Sequence, residues 1–301
     1  MPGPDGRNLL GFLTAIGALR VLAHEAPDLA LSWGTDHRPV IHRPEADGVW
    51  DEERLLNDLE AGLEASAAVD RFPWDNLAVK PEKFREYAIR ALQTASPRNR
   101  HWIDFVAGLA SDAAPTDSNG NVADTAFRTM SGAGHQNFLR FMKDLQGRVE
   151  RRHLQEALFT KWTYRDRKLS LRWDPLDDRR YALRADDPSK GSHNDIPSMW
   201  GANRLAFEAL ACFPTYPTSR GLETSGFVTP TRRRSVFVFH WPLWKPPVTL
   251  DGLRALLGHA AIASRDARQL RDLGVYAVLS SRRFTEGRYR NFAPAEIWPV
   301  P

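Results

Sequence analysis

The chain has 301 residues, 42% of them hydrophobic, one cysteine and a formal charge of +4. That length and apolar content suffice for one large core or two modest ones, and the lone Cys212 excludes an internal disulfide framework and a multi-cysteine zinc site. No apolar run approaches the roughly 18 residues of a spanning helix, and no cationic start leads into a long apolar core, so a cytoplasmic protein with no membrane partner and no secretory signal is expected.

In chain order, residues 9–24 predict an apolar helix whose only charge is Arg20, buried on most faces, with Gly11 and Gly17 allowing close helix approach. Residues 29–33 and 39–42 read as a hairpin around Gly34-Thr35-Asp36. Leu55, Leu56, Leu59 and Leu63 recur at helical spacing in 51–67, with Asp51, Glu52 and Glu53 in the first turn where the dipole favours them. Two more helices follow at 81–95 and 99–111, opened by Pro81 and separated by Pro97. The turn-rich 112–123 is a connecting loop. Helices are expected at 137–146 and 151–160, a short alternating strand at 169–173 and a long loop at 174–198. A helix over 201–213 stops before Pro214, with Cys212 as a buried thiol. A strand at 235–241, a helix at 250–258 and a closing strand pair at 275–284 and 288–298 complete the chain. The sum predicts an α+β fold, with a mainly helical N-terminal half carrying a small hairpin and an antiparallel sheet with helices in the C-terminal half. Residues 1–111 form an acidic region and 124–301 a basic one, although the length also fits one compact unit.

Charge is divided unevenly. Residues 1–120 hold 12 basic and 19 acidic side chains, net −7, and the remaining 29 basic and 18 acidic give +11. A basic back half suits a polyanion, or is an ordinary solvated surface. The most informative stretch is Met130-Ser131-Gly132-Ala133-Gly134-His135-Gln136-Asn137-Phe138-Leu139. Two glycines before His-Gln-Asn and an apolar run read as a tight loop opening a helix, where backbone N–H groups attract anions. The other reading is a tight turn whose His and Gln satisfy buried backbone groups. It is neither a Walker loop nor a dinucleotide fingerprint. Lys161-Trp162-Thr163-Tyr164-Arg165-Asp166-Arg167-Lys168 interleaves four cations with two rings, as in phosphate contact with base stacking, or is a solvated strand with its Trp in the core.

Arg232, Arg233 and Arg234 tip an expected hairpin, and Arg282 and Arg283 with Arg288, Tyr289 and Arg290 form a third basic cluster. The candidate nucleic-acid contacts are therefore Gly132, Gly134, His135, Gln136 and Asn137, then Lys161, Arg165, Arg167 and Lys168. Asn203, Arg204, the three arginines 232–234, Arg282 and Arg283 complete the set. The nine histidines form no His-Glu-x-x-His, and His37 and His42 meet across one turn without a third ligand, so no metal, cofactor or catalytic residue is expected. His135 as general base of a metal-independent endoribonuclease and a protein scaffold without nucleic acid are the competing readings.

Three segments carry a family resemblance. Asn8-Leu9-Leu10-Gly11-Phe12-Leu13-Thr14-Ala15-Ile16-Gly17-Ala18-Leu19-Arg20 resembles an Asn-Pro-Leu-Gly-Phe-Leu-Ala-Ala-Leu-Gly-Leu-Leu-Arg opening, with Leu9 in place of the proline. That opening occurs in several subunits of type I CRISPR systems, notably subtype G (formerly U). The glycine loop is the second segment. The third is Trp173-Asp174-Pro175 through Arg180-Tyr181-Ala182-Leu183-Arg184 to Gly201-Ala202-Asn203-Arg204-Leu205-Ala206 and Phe213-Pro214. The resemblance implies a non-catalytic, large-subunit-like or helicase-associated member of an RNA-guided surveillance complex. Its partners would be guide RNA or target DNA, the other CRISPR subunits and the CRISPR helicase-nuclease. In such systems base pairing reads the sequence while protein reads backbone shape and a short adjacent motif.

Overall fold

The computed structural model describes residues 1–44, 51–66, 73–96, 99–130, 137–177, 197–219, 221–228, 236–286 and 289–301. Helix α1 (Leu9–Leu22) starts where the Asn8 side chain accepts the Leu10 and Gly11 N–H groups, and every one of its residues is buried, Arg20 included. Strands β1 (Ala30–Trp33) and β2 (Pro39–His42) form the expected hairpin, with Ala30 opposite His42 and Trp33 opposite Pro39. Helix α2 (Glu52–Ala65) is capped by the Asp51 carboxylate, and α3 (Pro81–Gln93) and α4 (His101–Leu109) follow. Strands β3 (Ala110–Ser111) and β4 (Ala123–Asp124) pair at the base of the connecting loop. Helices α5 (Phe138–Arg148) and α6 (Arg151–Phe159) precede the short pair β5 (Asp166–Arg167) and β6 (Pro197–Ser198), and α7 (Trp200–Glu208) continues into a 3-10 turn at Ala209–Cys212.

The C-terminal part holds the hairpin β7 (Thr215–Thr218) and β8 (Gly221–Thr224), then β9 (Phe227–Val228), β10 (Phe237–Trp244) and β11 (Val248–Thr249). Helices α8 (Leu250–Leu257), α9 (Ala260–Ser264) and α10 (Ala267–Asp272) lead into β12 (Val275–Glu286), β13 (Tyr289–Phe292) and β14 (Glu296–Pro299). The main sheet runs β13-β12-β10-β9, wholly antiparallel, and β14 joins the same long strand β12 that carries β13. Strand β11 returns to β1, so the N-terminal hairpin gains its third strand from the C-terminal part. Helices dominate the first half and the sheet with its helices the second, an α+β fold.

Contact between α1 and α7 fixes the centre. A Cβ on Gly17 would collide with the Leu205 carbonyl oxygen, so glycine is needed for the two backbones to approach as they do. Gly11 has another use, because its neighbour is the Asp5 backbone rather than a helix. Phe12 stacks on Trp33 at 5.8 Å and meets Trp241 at 5.8 Å, so α1 binds the small sheet to the large one. Three buried indoles find acceptors: Trp241 donates to the Gly6 carbonyl at 2.8 Å, Trp244 to Leu31 at 2.7 Å and Trp173 to Phe127 at 3.0 Å, whereas Trp33 Nε1 is buried without one among the described residues. One cluster of buried side chains runs from Leu9 to Phe292, so residues on both sides of the 112–123 loop share a core.

Three elements differ from the sequence reading. Residues 169–173 are buried but not a strand: Lys168 and Arg172 have φ of 74° and 60°, which breaks the pleat. Side chains hold that backbone instead, with Leu171 N–H donating to Asn203 Oδ1 at 2.9 Å and Thr129 Oγ1 donating to the Leu171 carbonyl at 2.7 Å. The second strand of the expected closing pair, 288–298, is two strands, β13 and β14. The hairpin β7–β8 and the short helices α9 and α10 have no counterpart in the reading, because Pro217 and exposed polar residues leave β7 without an alternating pattern.

Candidate nucleic-acid interface

The segment 161–168 forms a ridge. Lys161, Arg165, Arg167 and Lys168 are exposed, while Trp162 and Tyr164 between them are half-buried. The rings are anchors rather than stacking platforms. Trp162 Nε1 donates to the Ala157 carbonyl at 2.9 Å, and Tyr164 Oη donates to Asp174 Oδ2 at 2.9 Å. Burial pushes the Asp174 carboxyl up, and hydrogen bonds from Leu176 N–H, Tyr164 and Asn8 pull it back. Burial and that carboxylate raise the Tyr164 phenol, so it stays a donor. Tyr164 itself has φ of 53°, which turns the chain between the two rings. Asp166 secures the other end, accepting the Trp200 N–H at 2.7 Å. The backbone of the ridge is thus fixed from beneath, and its cations project outward. Among the described residues neither Lys161 nor Arg165 has an ion-pair partner.

The described residues on either side of the glycine loop pack on the buried 171–173 segment. Thr129 bonds to Leu171, and Phe138 packs edge-on to Trp173 at 6.2 Å. Gly132, Gly134, His135 and Gln136 lie outside the described residues. Asn137 is described: its Oδ1 accepts from Asn76 Nδ2 at 3.3 Å at the start of α5. Arg232, Arg233 and Arg234 also lie outside the described residues, but Val228 and Val238 on either side are antiparallel partners in β9 and β10.

Two candidates turn out to be core residues. Asn203 is 1% exposed, and its amide donates to the Met199 carbonyl at 3.0 Å and to Ser198 Oγ at 3.3 Å. Arg204 donates to Glu208 Oε1 at 2.6 Å and lies 4.4 Å over the Phe207 ring. Arg20 donates to the other Glu208 oxygen, making a buried Arg–Glu–Arg group. Arg204 spends its donors inside the joint between α1 and α7, Asn203 spends its amide on Ser198 and Met199, and both are unavailable to a ligand. The i,i+4 spacing of Arg204 and Glu208 in an otherwise apolar helix was the available signal. Arg282 is exposed and Arg283 is buried, as alternation along β12 requires.

Two clefts complete the surface. One, of about 600 Å³, lies where the end of α1 meets the start of α4 and is lined by Arg20, His24, Arg100, His101, Asp104 and Arg254. His101 Nε2 and His24 Nδ1 stand 2.5 Å apart. Burial, then the Arg20 charge, holds His101 down at about 4. Asp104 takes Arg100 at 3.0 Å and Arg254 at 2.8 Å, so the cations here are internally matched. The other cleft, of about 610 Å³, has a mixed polar and apolar lining and lies between β7–β9 and the α8–α9 turn. His37 and His42 do not meet: His42 Nε2 is 2.7 Å from Ser32 Oγ, and His37 Nδ1 is 3.1 Å from Tyr276 Oη. Among the described residues no three His, Cys, Asp or Glu side chains are grouped to hold a metal, and no helix is long and apolar enough to cross a membrane. Cys212 is buried, and burial pushes its thiol up.

The chain matches no protein-family model and no curated protein.

Proposed function

We propose that this protein is a non-catalytic, nucleic-acid-binding subunit of a type I CRISPR RNA-guided surveillance complex. It is large-subunit-like, and it holds guide RNA or target DNA by the phosphate backbone. The carrying observation is the ridge, four exposed cations on a backbone pinned from below by Trp162, Tyr164 and Asp166. A preordered row of cations loses little side-chain and loop freedom on meeting a polyanion, and releases the polyanion's counterions. Because both rings are committed to protein acceptors, contact is to phosphates rather than to stacked bases. The resemblance of the three motif segments supplies the setting, with the other CRISPR subunits and the helicase-nuclease as partners.

The test is affinity capture of the full chain from its native host, followed by sequencing of bound RNA and identification of bound proteins. Repeat-derived guide RNA arriving with CRISPR subunits is the expected result. A clean monomer without RNA overturns the assignment. In vitro, the salt dependence of binding to short duplex and single-stranded probes should weaken by about one unit of log–log slope for each ridge cation removed that contacts a phosphate.

A further inference from the structure

Alternation along β12 separates Arg282 from Arg283. Arg283 faces inward at 7% exposure, opposite Phe237 on β10 and Phe292 on β13. Its guanidinium sits 4.1 Å from the Phe237 ring centre, and Nη1 donates to the Ala126 carbonyl at 2.6 Å. Arg290 is two residues before Phe292, on the same face, and so is the diagonal neighbour of Arg283. It is half-buried and forms the open side of the group. Strand β4 and the turn after it bring in Asp124 and Arg128, joined by an Nη2–Oδ2 bond of 2.9 Å, with both side chains largely buried. The Nε–H groups of Arg128 and Arg283 are buried without an acceptor.

Three guanidiniums therefore act on one buried carboxylate, and the exposed Asp117 also acts on Asp124 and Arg128, which leaves cationic charge in excess. Burial lowers Arg283 to about 9, with Arg290 and Arg128 adding to the effect, and burial lowers Arg290 as well. Burial pushes Asp124 up while the three arginines pull it back. Like charges gathered away from water are unfavourable unless an anion joins them. Guanidinium forks match phosphate oxygens in geometry as well as charge.

We propose that Arg128, Arg283 and Arg290 form a binding site for a phosphomonoester dianion, the terminal phosphate of a nucleotide or of a nucleic-acid strand, with Asp124 setting the net charge of the site. A dianion offsets the excess cationic charge most fully and offers three terminal oxygens to guanidinium N–H groups, of which the Nε–H of Arg128 and of Arg283 have no acceptor. An internal phosphodiester offsets less of it and offers two. The site does not depend on the 161–168 ridge, and either assignment can fail without the other.

The test uses the full chain at pH 7.5. Thermal unfolding is followed in inorganic phosphate and in sodium chloride of matched ionic strength, and binding is measured to two short oligonucleotides that differ only in a 5′-phosphate or a 5′-hydroxyl. Phosphate should raise the melting temperature above the chloride control, as any ligand of the folded state does. The 5′-phosphorylated strand should bind about tenfold tighter, the scale of one charge-assisted contact. Arg290→Gln should abolish both effects, and Asp124→Asn, which raises the net charge, should enlarge them. A merely structural Asp124–Arg128 pair predicts the opposite for Asp124→Asn, a less stable protein with no gain from phosphate, so the proposal survives a failure of Arg290→Gln to fold. Phosphate stabilisation without discrimination between the strands identifies a free phosphate or nucleotide as the ligand and supports the site. No phosphate-specific stabilisation together with equal binding of the two strands overturns it, while tight, ridge-dependent binding of both leaves the nucleic-acid reading standing.

Discussion

At the joint between α1 and α7, Glu208 gives one carboxylate oxygen to Arg20 and the other to Arg204, and all three side chains are nearly inaccessible. At the hairpin β12–β13, only Arg128 reaches the Asp124 carboxylate, while Arg283 turns to a backbone carbonyl and a ring. Both places bury arginine, but the joint matches each guanidinium to a carboxylate oxygen and the hairpin does not. A matched buried charge belongs to the architecture. An under-compensated one beside a half-open arginine is a place where an external anion completes the electrostatics.

Removing the shared acceptor is the sharpest way to break the comparison. Glu208→Ala leaves two buried guanidiniums without their carboxylate and should destabilise by about 3–5 kcal/mol, the cost of an uncompensated buried charge. Chemical denaturation reads it, and a loss below about 1 kcal/mol would mean that the joint tolerates unmatched arginine as the hairpin does.

The ridge should behave in the opposite way. Replacing Lys161, Arg165, Arg167 and Lys168 together by alanine should leave stability within about 0.5 kcal/mol per site, since the substituted side chains are exposed. The log–log salt slope for a DNA or RNA probe should drop by up to about four units. An unchanged slope with intact folding would assign the basic charge to ordinary solvation. Between these extremes lies Gly17→Ala, which carries no charge. The added Cβ must push α1 and α7 apart, at about 1–3 kcal/mol for overpacking, and urea unfolding measures it.

How far the sequence revealed these places depends on the reach of the interactions that make them. Helix α1 and its burial were legible because Arg20 is the only charge in a long apolar run. The hairpin β1–β2 was legible from its turn residues. Segment 169–173 misled because buried alternation looks like a strand until the positive φ of Lys168 and Arg172 is known. Asn203 and Arg204 misled because donor type says nothing of direction: Arg204 points into the joint, and Asn203 toward the buried 169–173 segment and Ser198. The adjacent Arg282 and Arg283 read as one cluster, yet strand alternation sends them to opposite faces. Arg128 carried no local signal: its partner Asp124 is four residues away, but Arg283 and Arg290 arrive from more than 150 residues along the chain.

The smallest expected effect separates the two regions by pH. His101 sits beside Arg20 and His24 at the edge of the joint, with Glu208 and Asp104 also acting on it, and is held neutral down to about 4 against an ordinary value of 6.5. A base whose affinity for protons falls on folding lets the unfolded chain bind more protons between those two values. Its contribution is therefore complete above pH 6.5 and is lost progressively as pH falls toward 4. The site is partly open to solvent, so the change amounts to about 1 kcal/mol after allowance for screening. His101→Gln should flatten that slope while leaving stability at pH 7.5 nearly unchanged. Probe binding by folded protein should not follow the slope, since His101 is not part of the ridge. If binding weakened in step with stability and His101→Gln restored both, the joint and the ridge would be coupled, and the division between structural and ligand-facing charge would fail at that point.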